Sequence, residues 1–254
     1  MIIAIVIPMG SMLQYGSLAR YYDMIYSFKD YEKESRIIAT LANRYKKSTG
    51  NELLDVGCGT GKHIVYLKKR FACTGIDKSE DMLRFARRQV DGVRFVRGDM
   101  ARFEMRKKFD VIVSLFSVIG YTETHQNLAL ALNNLSRHLK SGGVLIIEPW
   151  FTKAAWKSGS VHMHTYGTND VKIARVGFSG TDGSVSVLDE HYLIAEKGKG
   201  IKHFRDVQRL GLFGRAETLA LMRAAGLRAM YAKRSLAPGR GLYIGVKERD
   251  LDPA

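Results

Sequence analysis

From Tyr31 the chain reads YEKESRIIATLANRYKKS, and Ile37, Ile38, Leu41, Ala42 and Tyr45 recur at helical spacing. TGNE ends that helix, and the short apolar run ELLDV follows as a buried strand. KHIVYLKKR is a helix, ACTGID a second strand, and SEDMLRFARRQ a helix that opens on Ser79 as its N-cap. VRFV and FDVIVSLF are the third and fourth strands. THQNLALALNNLSRHL is a helix stopped by KSGG, and VLIIEPW is a fifth strand. Strands thus alternate with helices up to about Trp150, which predicts a parallel sheet covered by helices on both faces.

Beyond Trp150 the rhythm changes. VHMHTYG, VKIARVGFS, SVSVLDEHYLIAEK and IKHFRDVQRLGLF read as consecutive strands joined by the turns GTND, TDGS and KGKG. RAETLALMRAAG is a helix with Gly226 as its stop, and LRAMYAKRS and GLYIGVKE read as a closing strand pair. The expected organisation is an α/β core formed by residues 1–150 and 214–254, with an antiparallel β flap at 151–213 inserted after strand five. Near the start, the six apolar residues Ile2 to Ile7 end at Pro8. A membrane span needs ~20 such residues, and no basic segment precedes these, so a secretory signal is not expected either. The run is an added strand, a tail, or the result of an upstream start codon before Met9 or Met12.

Length and composition fit this division: 254 residues with 46% hydrophobic content suffice for one large domain with an insertion. Two cysteines, Cys58 and Cys73, cannot form a disulfide framework, and the expected setting is reducing and cytoplasmic. The net charge of +15 favours anionic partners. The basic residues are scattered as YKK, LKKR, ARRQ and EMRKKF, where helix ends and loops fall. A solvated basic surface accounts for them, and nucleic acid stays open as a partner. His162 and His164 alternate on one strand face while His191 and His203 sit on others, without Cys or carboxylate at ligand spacing, so no metal site is expected.

The candidate chemistry begins at LLDVGCGTGKH, residues 53–63. A glycine-rich turn between strand and helix lets a ligand approach the backbone. A triphosphate loop requires Gly-Lys-Ser/Thr, and here Gly61-Lys62 is followed by His63. The dinucleotide pattern G-x-G-x-x-G also fails, because Lys62 stands where its last glycine belongs. S-adenosylmethionine remains. Its ammonium wants an acid or carbonyl, its ribose diol a carboxylate, and its adenine an apolar slot with one acceptor. Asp55 ends the first strand beneath Gly57, Cys58, Gly59 and Gly61; Asp77 ends the second strand, 20 residues after Gly57; Asp99 and Met100 follow the third. These are the carboxyl ends of successive strands, where open α/β sheets bind ligands.

LLDVGCGTG, GID, GDM and GGVLIIEPW resemble the class I S-adenosylmethionine-dependent methyltransferases. YYDMIYSFKDYEKE, SLFSVIGY, IIEPWF, HYLIAEKGKGIKHFRDV and GRGLYIGV further resemble the N,N-dimethyltransferases of nucleotide-linked 3-amino sugars, from Tyr22 to about Val246. The chain differs from that pattern in carrying Asp77 where those enzymes carry Glu. The resemblance implies a Rossmann-like seven-stranded core, an antiparallel flap over the active site, and a homodimer. The candidate cofactor set is Tyr22, Tyr31, Asp55, Gly57, Cys58, Gly59, Gly61, Asp77, Lys78, Met82, Asp99, Met100 and Phe116.

Methyl transfer is an in-line displacement from a good leaving group, so positioning of a neutral nucleophile ~3 Å from the methyl in a water-poor site supplies most of the rate. No catalytic dyad need be visible. Nucleic-acid amino methyltransferases carry Asn/Asp-Pro-Pro-Tyr after strand four, whereas this chain reads SLFSVIGY, which argues against base methylation. Tyr121 is the catalytic candidate, as hydrogen-bond acceptor for an amine or as proton relay, set against simple packing at a helix start. Glu148 and Trp150 follow strand five, and Arg240 lies in the glycine-flanked turn PGRG. These three are candidates for binding a small-molecule acceptor, an amine carried on a nucleotide-linked sugar.

Overall fold

The computed structural model of the chain describes residues 14–233, 236, 237 and 239–248; the apolar run at residues 2–7 lies outside them. Helix α1 (Gln14–Ile25) precedes α2 (Tyr31–Tyr45), which starts where Asp30 Oδ1 accepts from Lys33 N at 2.9 Å. The alternating region follows as β1 (Glu52–Val56), α3 (Lys62–Leu67), β2 (Ala72–Asp77), α4 (Glu80–Gln89), β3 (Arg94–Arg97), β4 (Phe109–Ser114), a short 3-10 helix (Val118–Thr122), α5 (His125–Arg137) and β5 (Leu139–Ile147). Ser79 caps α4, its Oγ accepting from Met82 N at 3.3 Å, as its position ahead of SEDMLRF predicts. Then come β6 (Ser160–Gly167), β7 (Val171–Asp182), β8 (Val185–Glu196), β9 (Gly200–Gly211), α6 (Arg215–Ala224), β10 (Leu227–Ala232) and β11 (Leu242–Lys247).

Seven strands form one sheet in the order β10-β11-β5-β4-β1-β2-β3, with β1 to β5 parallel and β11 antiparallel to both its neighbours. Leu54, Ile112 and Leu145 face α5 and α6, while Leu53, Val111 and Val144 face α2. All six have no exposed surface, which is why these strands read as unbroken apolar runs. The sequence KSGG does more than stop α5. Leu139 already pairs with Phe109, and the register shifts before Val111 meets Val144, so Lys140–Gly143 form a bulge inside β5 with Gly142 at φ +76°.

The second sheet is four antiparallel strands in the order β6-β7-β8-β9, the β-meander that the turns GTND, TDGS and KGKG predict. Helix α1 supplies an apolar attachment of this sheet to the core. Leu18, Tyr21 and Ile25 of α1 form one buried cluster with Val171, Ile173, Tyr192 and Ile194 of the flap. The sequence reading did not identify α1 as a helix, because Leu18, Tyr21, Tyr22 and Ile25 are divided between two surfaces and make no single apolar stripe.

This cluster is the test of how flap and helix are joined. Ile194→Ala should lower the unfolding free energy by about 2–5 kcal/mol and speed hydrogen exchange in α1 as well as in β8. Exchange that rises in β8 alone would show that α1 is held by other contacts.

Candidate functional site

The glycine loop leaves β1 where the sheet order reverses between β4 and β2, the crevice in which open α/β sheets take ligands. Gly57 has φ +76°, and a Cβ there would lie 2.2 Å from Val118 Cγ1. Gly59 has φ +54°, but a Cβ there would meet nothing within 4 Å, so the loop backbone faces open space. Gly61, at φ +80°, opens α3. The Asp77 carboxylate is clasped on both oxygens: Gly59 N donates to Oδ2 and Ser79 N to Oδ1, each at 2.8 Å. Burial raises its pKa and these backbone donors oppose the rise. Asp55 is 2% exposed, and its Oδ2 has no hydrogen-bond partner. Burial pushes it up to about 6, opposed by His63 and reinforced by the Asp77 charge. Cys58 is buried, and burial raises its thiol well above the ordinary range.

Helices α1 and α2 roof this loop. Asp23 accepts from Thr60 Oγ1 at 2.6 Å and lies 3.4 Å from Lys62 Nζ. Tyr22 packs on Tyr26 with ring centroids 4.7 Å apart. Its hydroxyl is raised first by burial, then by the charges of Tyr26, Tyr31, Tyr121 and Asp77. Tyr31 stands edge-on to His63 at 4.9 Å. Behind it, buried Glu34 binds His63 Nε2 and Lys29 Nζ, each at 2.8 Å, and Lys29 Nζ lies 4.2 Å over the Phe116 ring. At the β3 side, Lys78 pairs with Asp99 at 3.4 Å, Met82 is buried within the first turn of α4, and Met100 packs on the core.

The loop after β4 faces the other way. Phe116 and Ser117 both lie in the left-handed region, at φ 52° and 64°. Glu148, with no exposed surface, holds this turn: its Oε2 accepts from Phe116 N at 2.7 Å. Ser117 Oγ donates to Pro149 O at 3.0 Å and accepts from Arg240 Nη1. The Arg240 guanidinium lies 3.7 Å from Glu148 Oε1 and over the Trp150 and Phe151 rings at 5.4 and 5.3 Å, while its Nε is buried without a partner. Trp150 donates to Ser186 Oγ of the flap at 2.8 Å. Glu148, Trp150 and Arg240 therefore form one cluster beneath and beside the Phe116 turn. Tyr121 stands on the 3-10 helix and donates to Gln208 Oε1 of β9 at 3.0 Å.

Gln208 belongs to a polar wall on the inner face of the flap that sequence reading missed. Its Nε2 donates to Asp206 Oδ2 at 2.9 Å and to Glu190 Oε2 at 3.3 Å. Glu190 also accepts from Tyr192 OH at 2.7 Å, meets His162 Nε2 at 3.2 Å, and lies 3.6 Å from Arg175. Arg175 donates to Tyr26 OH and to His164 Nδ1, each at 3.2 Å. Burial pushes Asp206 up to about 6, with the Gln208 amide opposing and Glu190 adding. Tyr26 stands edge-on to Phe116 at 5.0 Å and so joins wall to turn. The available signal was the alternation in β8 and β9: Glu190 and Asp206 interrupt the buried faces that carry Tyr192 and Ile194, and Phe204 and Leu210. The neighbouring residues His191 and His203 take no part in this wall. Those rings stack on each other at 5.1 Å on the opposite face of the flap.

A methyltransferase-domain family model matches residues 53–143. The chain is 38% identical over 231 residues to the dTDP-3-amino-3,4,6-trideoxy-alpha-D-glucopyranose N,N-dimethyltransferase of Streptomyces venezuelae, covering 90% of this chain and 97% of the relative. It superimposes on the crystal structure of Streptomyces venezuelae DesVI with TM-score 0.85 at 37% identity, over 90% of this chain and 98% of that one. The SAM-bound amino pentose methyltransferase CalS10 of Micromonospora echinaspora gives TM-score 0.80 at 31% identity, over 89% and 96%.

S-adenosylmethionine is the cofactor, and the residues present fit it. The open face at Gly59 admits a ligand against the backbone. The orphaned Oδ2 of Asp55 suits the cofactor's ammonium, and the Asp77 carboxylate beside it suits the ribose diol. An acid whose folded pKa is raised to about 6 destabilises the folded state once ionised, above that pH, and ceases to do so below it. Asp55→Asn should therefore leave the thermal midpoint of the ligand-free protein at pH ~8 unchanged or higher. The same variant should bind S-adenosylhomocysteine at least about tenfold more weakly. In the wild type, affinity should fall about tenfold between pH ~8 and ~5, as the carboxylate protonates. Titration calorimetry decides, and an acid slope that survives in Asp55→Asn would assign it to another group.

Proposed function

The chain belongs to the S-adenosylmethionine-dependent N,N-dimethyltransferases of nucleotide-linked amino sugars, and from that premise we propose that it methylates the amino group of a sugar carried on a nucleotide. The observation that carries this reading is the polar wall of Glu190, Asp206, Gln208 and Tyr121, which stands across the Phe116 turn from the glycine loop. Two buried carboxylates favour the N–H end of an amine and repel the phosphates of RNA.

When bound, S-adenosylmethionine supplies a methyl on a sulfonium, the electrophile of the displacement. The chain's own residues do the rest. Asp55 and Asp77 hold the ammonium and the ribose diol; Gly57, Cys58, Gly59 and Gly61 let the backbone close on the ligand; and Lys78, Met82, Asp99 and Met100 border the adenine. Tyr22, Tyr31 and Phe116 exclude water beside the transferred group, where desolvation favours the displacement. Tyr121 orients the acceptor amine. Arg240, with an unpartnered buried Nε and two indole or phenyl rings beneath it, suits a phosphate of the acceptor. Glu148 supports both from below by holding Phe116 N and facing the guanidinium. Of the described residues, those up to 150 and from 214 onward act as the cofactor-binding core and residues 151–213 as the substrate-covering flap.

The outer face of the flap supports a homodimer. Val161, Met163, Val176, Phe178, Leu193 and Ile201 are all more than half exposed there, a contiguous apolar patch of the kind that marks an interface. The free thiols of Cys58 and Cys73 support a cytoplasmic setting, and among the described residues no helix is long and apolar enough to cross a membrane.

Methyl transfer should proceed faster to a nucleotide-linked amino sugar than to the free sugar or to bulk RNA, with products read by mass spectrometry; RNA as the best acceptor would sink the reading. Arg240→Lys, which keeps a cation beside Glu148, should raise KM for the nucleotide-linked acceptor at least about tenfold more than KM for a free amine. The wild type should elute at twice the chain mass in light scattering, and Val176→Glu with Phe178→Glu should convert it to a monomer; a wild-type monomer would remove the dimer.

A further inference from the structure

Glu190 and Asp206 are directly opposed in the β8–β9 register, and both are almost fully buried. Like charges directly opposite on neighbouring strands repel, and at this depth water is not there to screen them. The Gln208 side chain lies on the same face of β9 as Asp206, two residues on. Its Nε2 reaches both carboxylates, at 2.9 and 3.3 Å, while its Oε1 accepts from Tyr121 OH at 3.0 Å. An amide can be turned over about its last torsion, and here turning it would set three acceptor oxygens against one another with no hydrogen between them. Burying such unpaired groups costs several kcal/mol, by the order of magnitude that holds for buried polar atoms. The two carboxylates therefore dictate which end of the amide meets Tyr121.

We propose that Gln208 is a positioning residue that commits the Tyr121 proton to its own amide oxygen, so that Tyr121 meets the acceptor amine as an acceptor for its N–H. The proposal rests on the amino-sugar reading above and specifies how the amine is held. The amine donates one N–H to Tyr121, and its lone pair is left to point at the methyl. That lone pair forms the N–C bond as the C–S bond breaks; the electron pair goes to sulfur, and the ammonium so formed releases one proton to solvent. The secondary amine formed by the first transfer keeps one N–H, so the second transfer uses the same contact, while a tertiary amine has none to offer. Arg175 lies 3.6 Å from Glu190 Oε1 and offsets part of the repulsion between the two carboxylates, but its hydrogen bonds to Tyr26 OH and His164 Nδ1 leave the Gln208 amide as the donor that Glu190 Oε2 and Asp206 Oδ2 share.

The test compares wild type with Gln208→Leu, Gln208→Glu, Tyr121→Phe and the double variant Tyr121→Phe/Gln208→Leu. Gln208→Leu should lower kcat at least about tenfold and accumulate the monomethyl amine, with S-adenosylhomocysteine affinity within about twofold of wild type. Tyr121→Phe should lose as much, and the double variant should be no worse than Tyr121→Phe alone. Gln208→Glu restores the contact only when the cluster of three carboxyls holds an extra proton. Its activity should approach wild type near pH ~5.5 and fall as pH rises, a profile the wild type lacks. A Gln208→Leu enzyme with unchanged kcat, additive losses in the double variant, or a Gln208→Glu profile that matches wild type would overturn the proposal. Should the wild type methylate no amino-sugar nucleotide, the functional reading fails separately. The hydrogen bond is then read without an acceptor, from the 13Cζ resonance of Tyr121 in labelled protein with S-adenosylhomocysteine bound. It should move in Gln208→Leu and return in Gln208→Glu at low pH; an unmoved resonance in Gln208→Leu overturns the assignment.

Discussion

Two consecutive residues with full side chains, Phe116 and Ser117, are held in left-handed backbone, and the site depends on that turn. Such a conformation costs on the order of 1–3 kcal/mol per residue and persists only where its surroundings over-determine it. Here they do. Glu148 accepts from Phe116 N, Ser117 Oγ bonds Pro149 O, and Arg240 closes on both Ser117 and Glu148. The turn then sets three things at once. It presses Val118 into the space above Gly57, which only glycine leaves free. It stands Phe116 between Tyr26 and Lys29. It starts the 3-10 helix that carries Tyr121 to the flap. A buried carboxylate that touches no solvent is thus placed where losing it would disturb cofactor loop and acceptor wall together.

Helix α1 is the second dependency. One side of it reaches the glycine loop through Asp23 to Thr60 and Lys62, and the other packs Leu18, Tyr21 and Ile25 on the flap. Between these two commitments Tyr22 packs on Tyr26, which meets Phe116 and Arg175. A single helix therefore couples the order of the cofactor loop to the seating of the flap. The cofactor loop and the flap share contacts through α1.

The parts of this arrangement that lie in one stretch of chain were legible before the fold. ELLDVGCGTG declares a buried strand and a backbone-facing turn because both are fixed by neighbours within ten residues, and Asp77 and Asp99 follow from strand ends. KSGG was read as a helix stop because glycines mark breaks; that they also form a bulge in β5 depends on Phe109 and Val111 across the sheet. The flap strands were legible, but the face that looks inward was not. Alternation says that residues 190, 192 and 194 share a side and leaves open which side it is, and one residue of slip exchanges Glu190 for His191. Gln208 carries no local mark at all. Its meaning comes from Glu190 across the ladder and Tyr121 across the cleft, both distant in the chain.

The charge of the whole chain and the charge of its flap wall have opposite signs, and that contrast bears on what the cleft selects. The surface is strongly basic, +15 over 254 residues, and draws anions toward the protein at a range set by the Debye length, about 8–10 Å at physiological salt. Inside, Glu190 and Asp206 are buried beside Tyr121, while Arg240 stands near Glu148 and the Trp150 ring. A plain amine gains from the wall but is repelled by the surface, and a polyanion gains from the surface but not from the wall. On the proposed function, a ligand with phosphates at one end and an amine at the other satisfies both, with the phosphates toward Arg240 and the amine toward Tyr121. On that same proposal, the scattered lysines and arginines, uninformative as a motif, act as a field that favours the nucleotide half of the acceptor, and the few buried carboxylates of the flap favour its amine end.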